Sequence, residues 1–256
     1  MGRLDRTSMG GGGSGFPSTL WSQLKNAKTD DEARRRIIIG NLTETYWKPI
    51  YSHLRRKGYD NEKAKDLTQG FFQDIVLGRK LILRADRTKG KFRTFLLSAL
   101  KRYVAEIHRA QTRRKRFPEK GLVQLEWEEF INLSTAQAGR TPEEAYCYAW
   151  AADVIDYVID EVKKQCLTTR SSKHWLVFWA KILQPIINNS EAPSHAEICA
   201  KYDIRDESTA SNMITTVKRR FRDVLKRRLR ELTRSDSEAE EEFLEIFRIL
   251  SGGSAG

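Results

Sequence analysis

Apolar residues recur at spacings of three and four along most of the chain, the period of a helix with one buried face. The clearest stripe is Phe92, Phe95, Leu96, Leu100, Tyr103, Val104 and Ile107, which predicts a helix packed on a core over 92–116, closed by Pro118. Ahead of it, Ser18 is a possible cap within 16–24 (FPSTLWSQL), where Trp21 reads as an anchor. Thr29 and Glu32 read as a capping box for a helix through Ile37, Ile38, Leu42 and Tyr46, which Pro49 should bend or restart. A further turn carries Ile50, Tyr51 and Leu54 to a stop at Gly58. Asp60 then caps a helix with Ala64, Leu67, Phe71 and Ile75 inside, ending at Gly78, and 86–90 (DRTKG) reads as a turn.

Residues 119–140 hold Leu125, Trp127, Phe130 and Ile131 among polar residues without a sustained period, as in a linker that docks in part. Thr141 as cap, Pro142 at the first helical position and Glu144 three residues on start a new helix, with Tyr146, Trp150, Val154 and Val158 as its buried stripe. Trp175, Phe178, Trp179 and Ile182 mark another, expected to stop before Pro185; aromatics at this spacing usually belong to a core. Ser194 and Glu197 repeat the capping box for a short helix with Ile198, Cys199 and Tyr202 inward. A turn over 204–207 leads to a long helix over 208–230, with Ala210, Met213, Ile214, Val217, Phe221 and Leu225 on its inner side. Short helix, tight turn and long polar-faced helix make the helix-turn-helix plan. An ordinary helical hairpin with a charged exterior is the competing reading of that segment. After the acidic 235–242, Phe243, Leu244, Ile246 and Phe247 are expected to pack a last helix back onto the molecule.

The expected architecture is all-α: two small helical domains, 16–117 and 141–234, joined by a linker over 118–140. The second is the helix-turn-helix. A flexible Gly-rich lead covers 1–15, and an acidic helix and tail cover 235–256.

Charge adds a partner to this picture. The 256 residues carry 46 Lys and Arg against 34 Asp and Glu, a formal net charge of +12, which calls for an acidic partner. With no long apolar run and no secretion signal, a cytoplasmic location near the nucleoid is expected. The three cysteines, Cys147, Cys166 and Cys199, show no CxxC pairing and read as reduced core thiols, so neither zinc nor redox chemistry is implied. No metal and no cofactor is expected. Asp153, Asp156, Asp160 and Glu161 have the spacing of a solvated helix edge, and His53, His108, His174 and His195 are scattered, so an enzyme such as a nuclease has little support.

The helix over 92–116 crowds Lys101, Arg102, Arg109, Arg113, Arg114, Lys115 and Arg116 toward its end, with Glu106 the one acid among them. Cations there suit the helix dipole, and they also suit phosphates. Interleaved aromatics make a melted or single-stranded nucleic acid a serious candidate, because bases stack on rings while Arg and Lys meet the backbone. In the helix-turn-helix, Ser208, Thr209, Ser211, Asn212 and Thr215 stand early enough to reach base edges in a major groove. Lys218, Arg219, Arg222, Arg227 and Arg228 follow as phosphate contacts.

Trp47, then Asp66-Leu67-Thr68-Gln69 with Phe71-Phe72, then Phe92-Arg93-Thr94-Phe95-Leu96 and the helix to Arg109 resemble the second conserved region of an extracytoplasmic-function (ECF) type sigma factor of bacterial RNA polymerase. The helix-turn-helix resembles that family's fourth region. FPSTLWSQL, RADRTKGKFRTFLL and EEFLEIFRILS resemble the subgroup abundant in planctomycete-type bacteria. The resemblance implies a subunit that joins core polymerase, recognises an upstream duplex element and opens the downstream one, without covalent chemistry. By position it assigns Asp66, Gln69, Phe72 and Gln73 to the polymerase, and Arg93, Lys101, Arg102, Tyr103, Glu106, Arg109 and Arg113 to the melting strand. Partners implied are core RNA polymerase, promoter DNA in duplex and melted form, and an anti-sigma factor or other regulatory protein, with no membrane. The alternative is a stand-alone helix-turn-helix regulator that binds duplex without polymerase.

Overall fold

The computed structural model describes residues 32–77, 91–114, 140–233 and 235–251, the side chains of 32–39, 75–77 and 111–114 excepted. The expectations for Ser18, Trp21, the Thr29 box, Gly78, the 86–90 turn, Pro118 and most of the linker therefore lie outside the described residues, and those for the Ile37, Ile38, Ile75 and Arg113 side chains outside the described side chains. Every regular element among the described residues is helical.

Helix α1 (Glu32–Arg56) runs through Pro49 without a break, so of the expected bend or restart the restart is excluded. Leu42, Tyr46, Ile50 and Leu54 on either side of the proline are all essentially inaccessible. That continuous buried row outweighs the hydrogen bond the imide cannot donate. The helix closes with Tyr59 N–H donating to the Leu54 carbonyl and Gly58 N–H to that of Arg55. Gly58 adopts φ 98°, the left-handed conformation such an end requires. Asp60 then caps α2 (Asn61–Phe71), its carboxylate accepting from Lys63 N–H at 2.7 Å, and a π-helical turn (Phe72–Leu77) extends it.

Helix α3 (Phe92–Arg114) buries Phe92, Leu96, Leu100, Tyr103 and Val104, as its spacing predicts. Helix α4 (Pro142–Thr168) starts at the anticipated capping box: Glu144 N–H donates to Thr141 Oγ1 at 3.2 Å, and Thr141 N–H to Glu144 Oε2 at 2.8 Å. Tyr146, Trp150, Val154 and Val158 are buried along it.

Helix α5 (Ser172–Phe178) passes through a π-helical turn (Trp179–Leu183) into α6 (Gln184–Asn188), so the helical path does not stop at Pro185. The wide turn, in which Gln184 N–H reaches back to the Trp179 carbonyl, makes room for a ring that collides with the preceding turn of a regular α-helix. Helices α7 (His195–Tyr202), α8 (Glu207–Leu232) and α9 (Asp236–Leu250) complete the chain.

Helices α1 and α4 pack along one another, with Lys48 and Asp153 paired across them at 3.0 Å, while α8 and α9 also lie against α4. One hydrophobic cluster runs from Leu42 to Ile249, taking in residues of both segments on either side of the linker. Ala239, Ile246 and Ile249 fix α9 to it. Leu244 and Phe247, expected to pack inward, instead face solvent at 62% and 52% exposure, because the helix turns its 239–242–246–249 row to the core.

Candidate nucleic-acid interface

Local hydrogen bonds define the α7–turn–α8 segment. Glu197 N–H donates to Ser194 Oγ at 3.1 Å, while Ser194 N–H and the Ser194 hydroxyl donate to Glu197 Oε2 at 2.6 and 2.9 Å; the two bonds to the carboxylate hold it below its ordinary range. Asp203 takes a left-handed conformation, φ 50°, at the end of α7, as only Gly, Asn and Asp do readily. Ile204 N–H returns to the Cys199 carbonyl at 3.0 Å, and the Ile204 side chain plugs the turn. Asp206 caps α8, accepting from Thr209 N–H at 2.7 Å and from Arg205 Nε at 2.7 Å. Chiefly through Arg205, its carboxyl is pulled down to about 2, so the cap stays ionised.

The inner row of α8, with Ala210, Ile214, Val217, Val224, Leu225, Leu229 and Leu232 buried, orients the opposite row outward. Ser208, Ser211, Asn212, Thr215, Lys218, Arg219 and Arg222 are exposed, and Thr209 is half-buried beside its cap. Positions 208, 211, 215, 218, 219 and 222 share one helix face. Among the described residues Lys218, Arg219 and Arg222 enter no ion pair. The neighbouring cations differ. Arg220 Nη1 donates to Thr169 Oγ1 at 3.1 Å, Arg227 pairs with Glu161 at 3.5 Å, and Arg228 pairs with Glu231 at 3.1 Å while lying over Tyr157. Arg227 and Arg228, expected to meet phosphates, are thus held by acids of the molecule itself.

On α3 the predicted set divides. Lys101, Arg102, Glu106 and Arg109 are exposed on the helix face away from the core. Lys101 pairs with Glu143 at 2.6 Å, both half-exposed, and Arg102 Nε donates to the Ser98 carbonyl at 3.2 Å. Tyr103 is 6% exposed, edge-on to Phe71 at 5.7 Å, with its hydroxyl against Gly70 where any side chain would collide. It belongs to the α2–α3 contact and is removed from the expected stacking surface.

Arg93 is removed as well. It is 5% exposed, its Nε 3.1 Å from Glu242 Oε1, its Nη2 2.6 Å from Glu245 Oε2, and its guanidinium 4.7 Å from the Trp150 ring centre. Lys91 joins the same acids at 2.5 and 3.5 Å, and Tyr146 Oη donates to the Arg93 carbonyl at 3.1 Å. Burial pushes the Glu242 carboxyl up; at the more exposed Glu245 burial also acts upward, but the hydrogen bonds and charges of Lys91 and Arg93 together outweigh it and draw the carboxyl down. This cluster was not foreseen; the acids at 242 and 245 share a helix face in sequence, but nothing local names their partners.

On α2 and the π-helical turn that extends it, Asp66, Gln69 and Gln73 are exposed on one side. Phe72 is not available beside them: it is 5% exposed, stacked on Trp47 at 6.0 Å and edge-on to Phe71. Its ring supports that face from beneath.

Of the acidic edge of α4, Asp153 pairs with Lys48 and Glu161 bonds Gln165 and Arg227, while Asp156 and Asp160 are exposed. Among the described residues no three His, Cys, Asp or Glu side chains gather as a metal site would require, and no helix is long and apolar enough to cross a membrane. No family model matches the chain, and neither a curated protein nor a solved structure matches it.

Proposed function

We propose that the protein is a sigma-type subunit of bacterial RNA polymerase, with α7 and α8 as a helix-turn-helix that reads a duplex promoter element and α2 with α3 as the part that meets polymerase and the opening strand. The observation that carries this reading is the outer face of α8. Small polar side chains come first, at Ser208, Ser211, Asn212 and Thr215, and Lys218, Arg219 and Arg222, which enter no ion pair among the described residues, follow, while nearby Arg227 and Arg228 pair with acids. Major-groove readout needs that order, with hydrogen-bonding groups near the helix start and positive charge where the strands flank it. On α3 the strand-facing set loses Arg93 and Tyr103 and keeps Lys101, Arg102, Glu106 and Arg109, with Arg113 beyond the described side chains. The reaction is one of binding and strand separation, in which captured bases offset an unstacking cost of about a few kcal/mol per step.

A second reading has one observation in its favour. With Arg93 and Tyr103 buried, the first helical segment offers less for a melted strand, as suits a regulator that binds duplex alone. Association with polymerase separates the two. Purified core enzyme should co-elute with the wild-type chain and not with the Asp66→Ala/Gln69→Ala variant, whose thermal unfolding should stay unchanged because exposed polar substitutions cost within about 0.5 kcal/mol. Failure of the wild type to co-elute would reject the sigma reading, and equal binding by the variant would reject this face.

A further inference from the structure

The contact between α9 and the start of α3 is costly in a way that suggests a use. Four ionised groups are drawn into a partly dry site, where desolvation consumes much of what their attraction returns, and apolar residues of similar volume usually do at least as well. Glu242 Oε2 gains no hydrogen bond there, although it is buried. Outside the cluster α9 is held by the buried Ala239, Ile246 and Ile249, while Leu244 and Phe247 face water and Glu240 meets a half-exposed Lys226 at 3.4 Å. The two cations held, Lys91 and Arg93, stand at the start of α3, Arg93 on its core-facing side, and Lys101, Arg102 and Arg109 follow on its exposed side.

We propose that α9 is an intramolecular latch: the Glu242 and Glu245 carboxylates occupy Lys91 and Arg93 in place of nucleic-acid phosphates, so that a polyanion binding along α3 and the docking of α9 exclude one another. This rests on the nucleic-acid reading above and adds to it a closed state with lowered affinity. The chemistry is ion exchange. A phosphate backbone presents the same anionic oxygens as the two carboxylates and, unlike them, releases condensed counterions when it binds. Loss of the acids makes α9 leave, because Arg93 would otherwise remain buried and unpaired; lifting the helix lets the guanidinium hydrate. By reciprocity, whatever factor α9 docking takes from nucleic-acid affinity, nucleic acid takes from α9 docking.

The test uses the full chain and a short fluorescein-labelled single-stranded DNA of mixed sequence, with hydrogen exchange of the α9 amides as a readout independent of DNA. Glu242→Gln/Glu245→Gln should speed α9 exchange, tighten DNA binding by about fivefold or more, and steepen the salt dependence by up to about two units as Lys91 and Arg93 become available. Adding DNA to the wild type should speed α9 exchange as well. The control Glu240→Gln/Glu241→Gln removes the same charge from the exposed side of α9 and should change little. Equal tightening in the control would overturn the latch in favour of general charge, and so would faster α9 exchange with unaltered affinity. If the double variant fails to fold, Glu245→Gln alone removes the more exposed acid, and the same two readouts decide. If α9 opens in the variant but no form of the protein binds the oligonucleotide or duplex DNA, the nucleic-acid reading has failed and the latch falls with it; duplex binding with no latch effect fails the latch alone.

Discussion

Arg93 and Arg102 stand nine positions apart on one helix and have opposite fates. Arg93 is enclosed by two carboxylates and an indole, so Arg93→Ala strands buried charge on Glu242 and should cost about 3–5 kcal/mol. Arg102 is exposed and, among the described residues, bonded only to a carbonyl of its own helix, so Arg102→Ala should stay within about 0.5 kcal/mol while weakening contact with an open strand. Denaturant unfolding of both variants checks the contrast; similar losses would mean that one placement is wrong. His53 is a second residue-scale case. It is 2% exposed, its Nδ1 lacks a partner, and burial depresses its pKa below the ordinary 6.5, against the smaller opposing effects of the Pro142 carbonyl and Glu143; Lys57 and Lys101 act with burial. A depressed folded-state pKa means that the unfolded chain binds the proton more readily. Stability from a neutral His53 is therefore complete above about pH 6.5 and declines as pH falls toward the folded-state value. The fall in melting temperature between about pH 7.5 and 5.5 should shrink in His53→Gln, and an identical fall in both proteins would exclude His53 as its source.

At the scale of elements, α8 makes the sharpest prediction. Arg219→Ala should weaken duplex binding on all sequences and lower the slope of log affinity against log salt by about one unit. Asn212→Ala should instead change which bases are preferred; uniform weakening by Asn212→Ala would mean that the recognition face lies elsewhere. The helices themselves were legible because capping and periodicity are local. Thr141 with Glu144, Ser194 with Glu197, and Asp60 each form the cap that their neighbours announce. The stripe from Phe92 to Val104 likewise buries as read, apart from half-buried Phe95. Pro49 and Pro185 misled for one physical reason: a proline removes a single hydrogen bond, and either a long buried row or a π-helical turn compensates for it. The cationic faces were only partly legible. Whether a cation is free depends on acids far along the chain, as with Arg93 and Glu242 or Arg227 and Glu161, and no local period encodes that pairing.

For the whole molecule, the net charge of +12 is distributed between cations committed to internal acids and a smaller set left to solvent on α8 and α3. The continuous core through α1, α4, α8 and α9 was not legible either, since the apolar row of each helix states that it is buried and not against what. Function at this scale is a question of dependence on polymerase. The most direct measurement is transcription in vitro from a pool of genomic fragments by core RNA polymerase, with and without this chain, mapping the 5′ ends. A sigma-type subunit predicts a set of new start sites that appear only when both proteins are present and share a sequence element upstream. No new start sites, together with sequence-specific binding of fragments by the chain alone, would contradict the account.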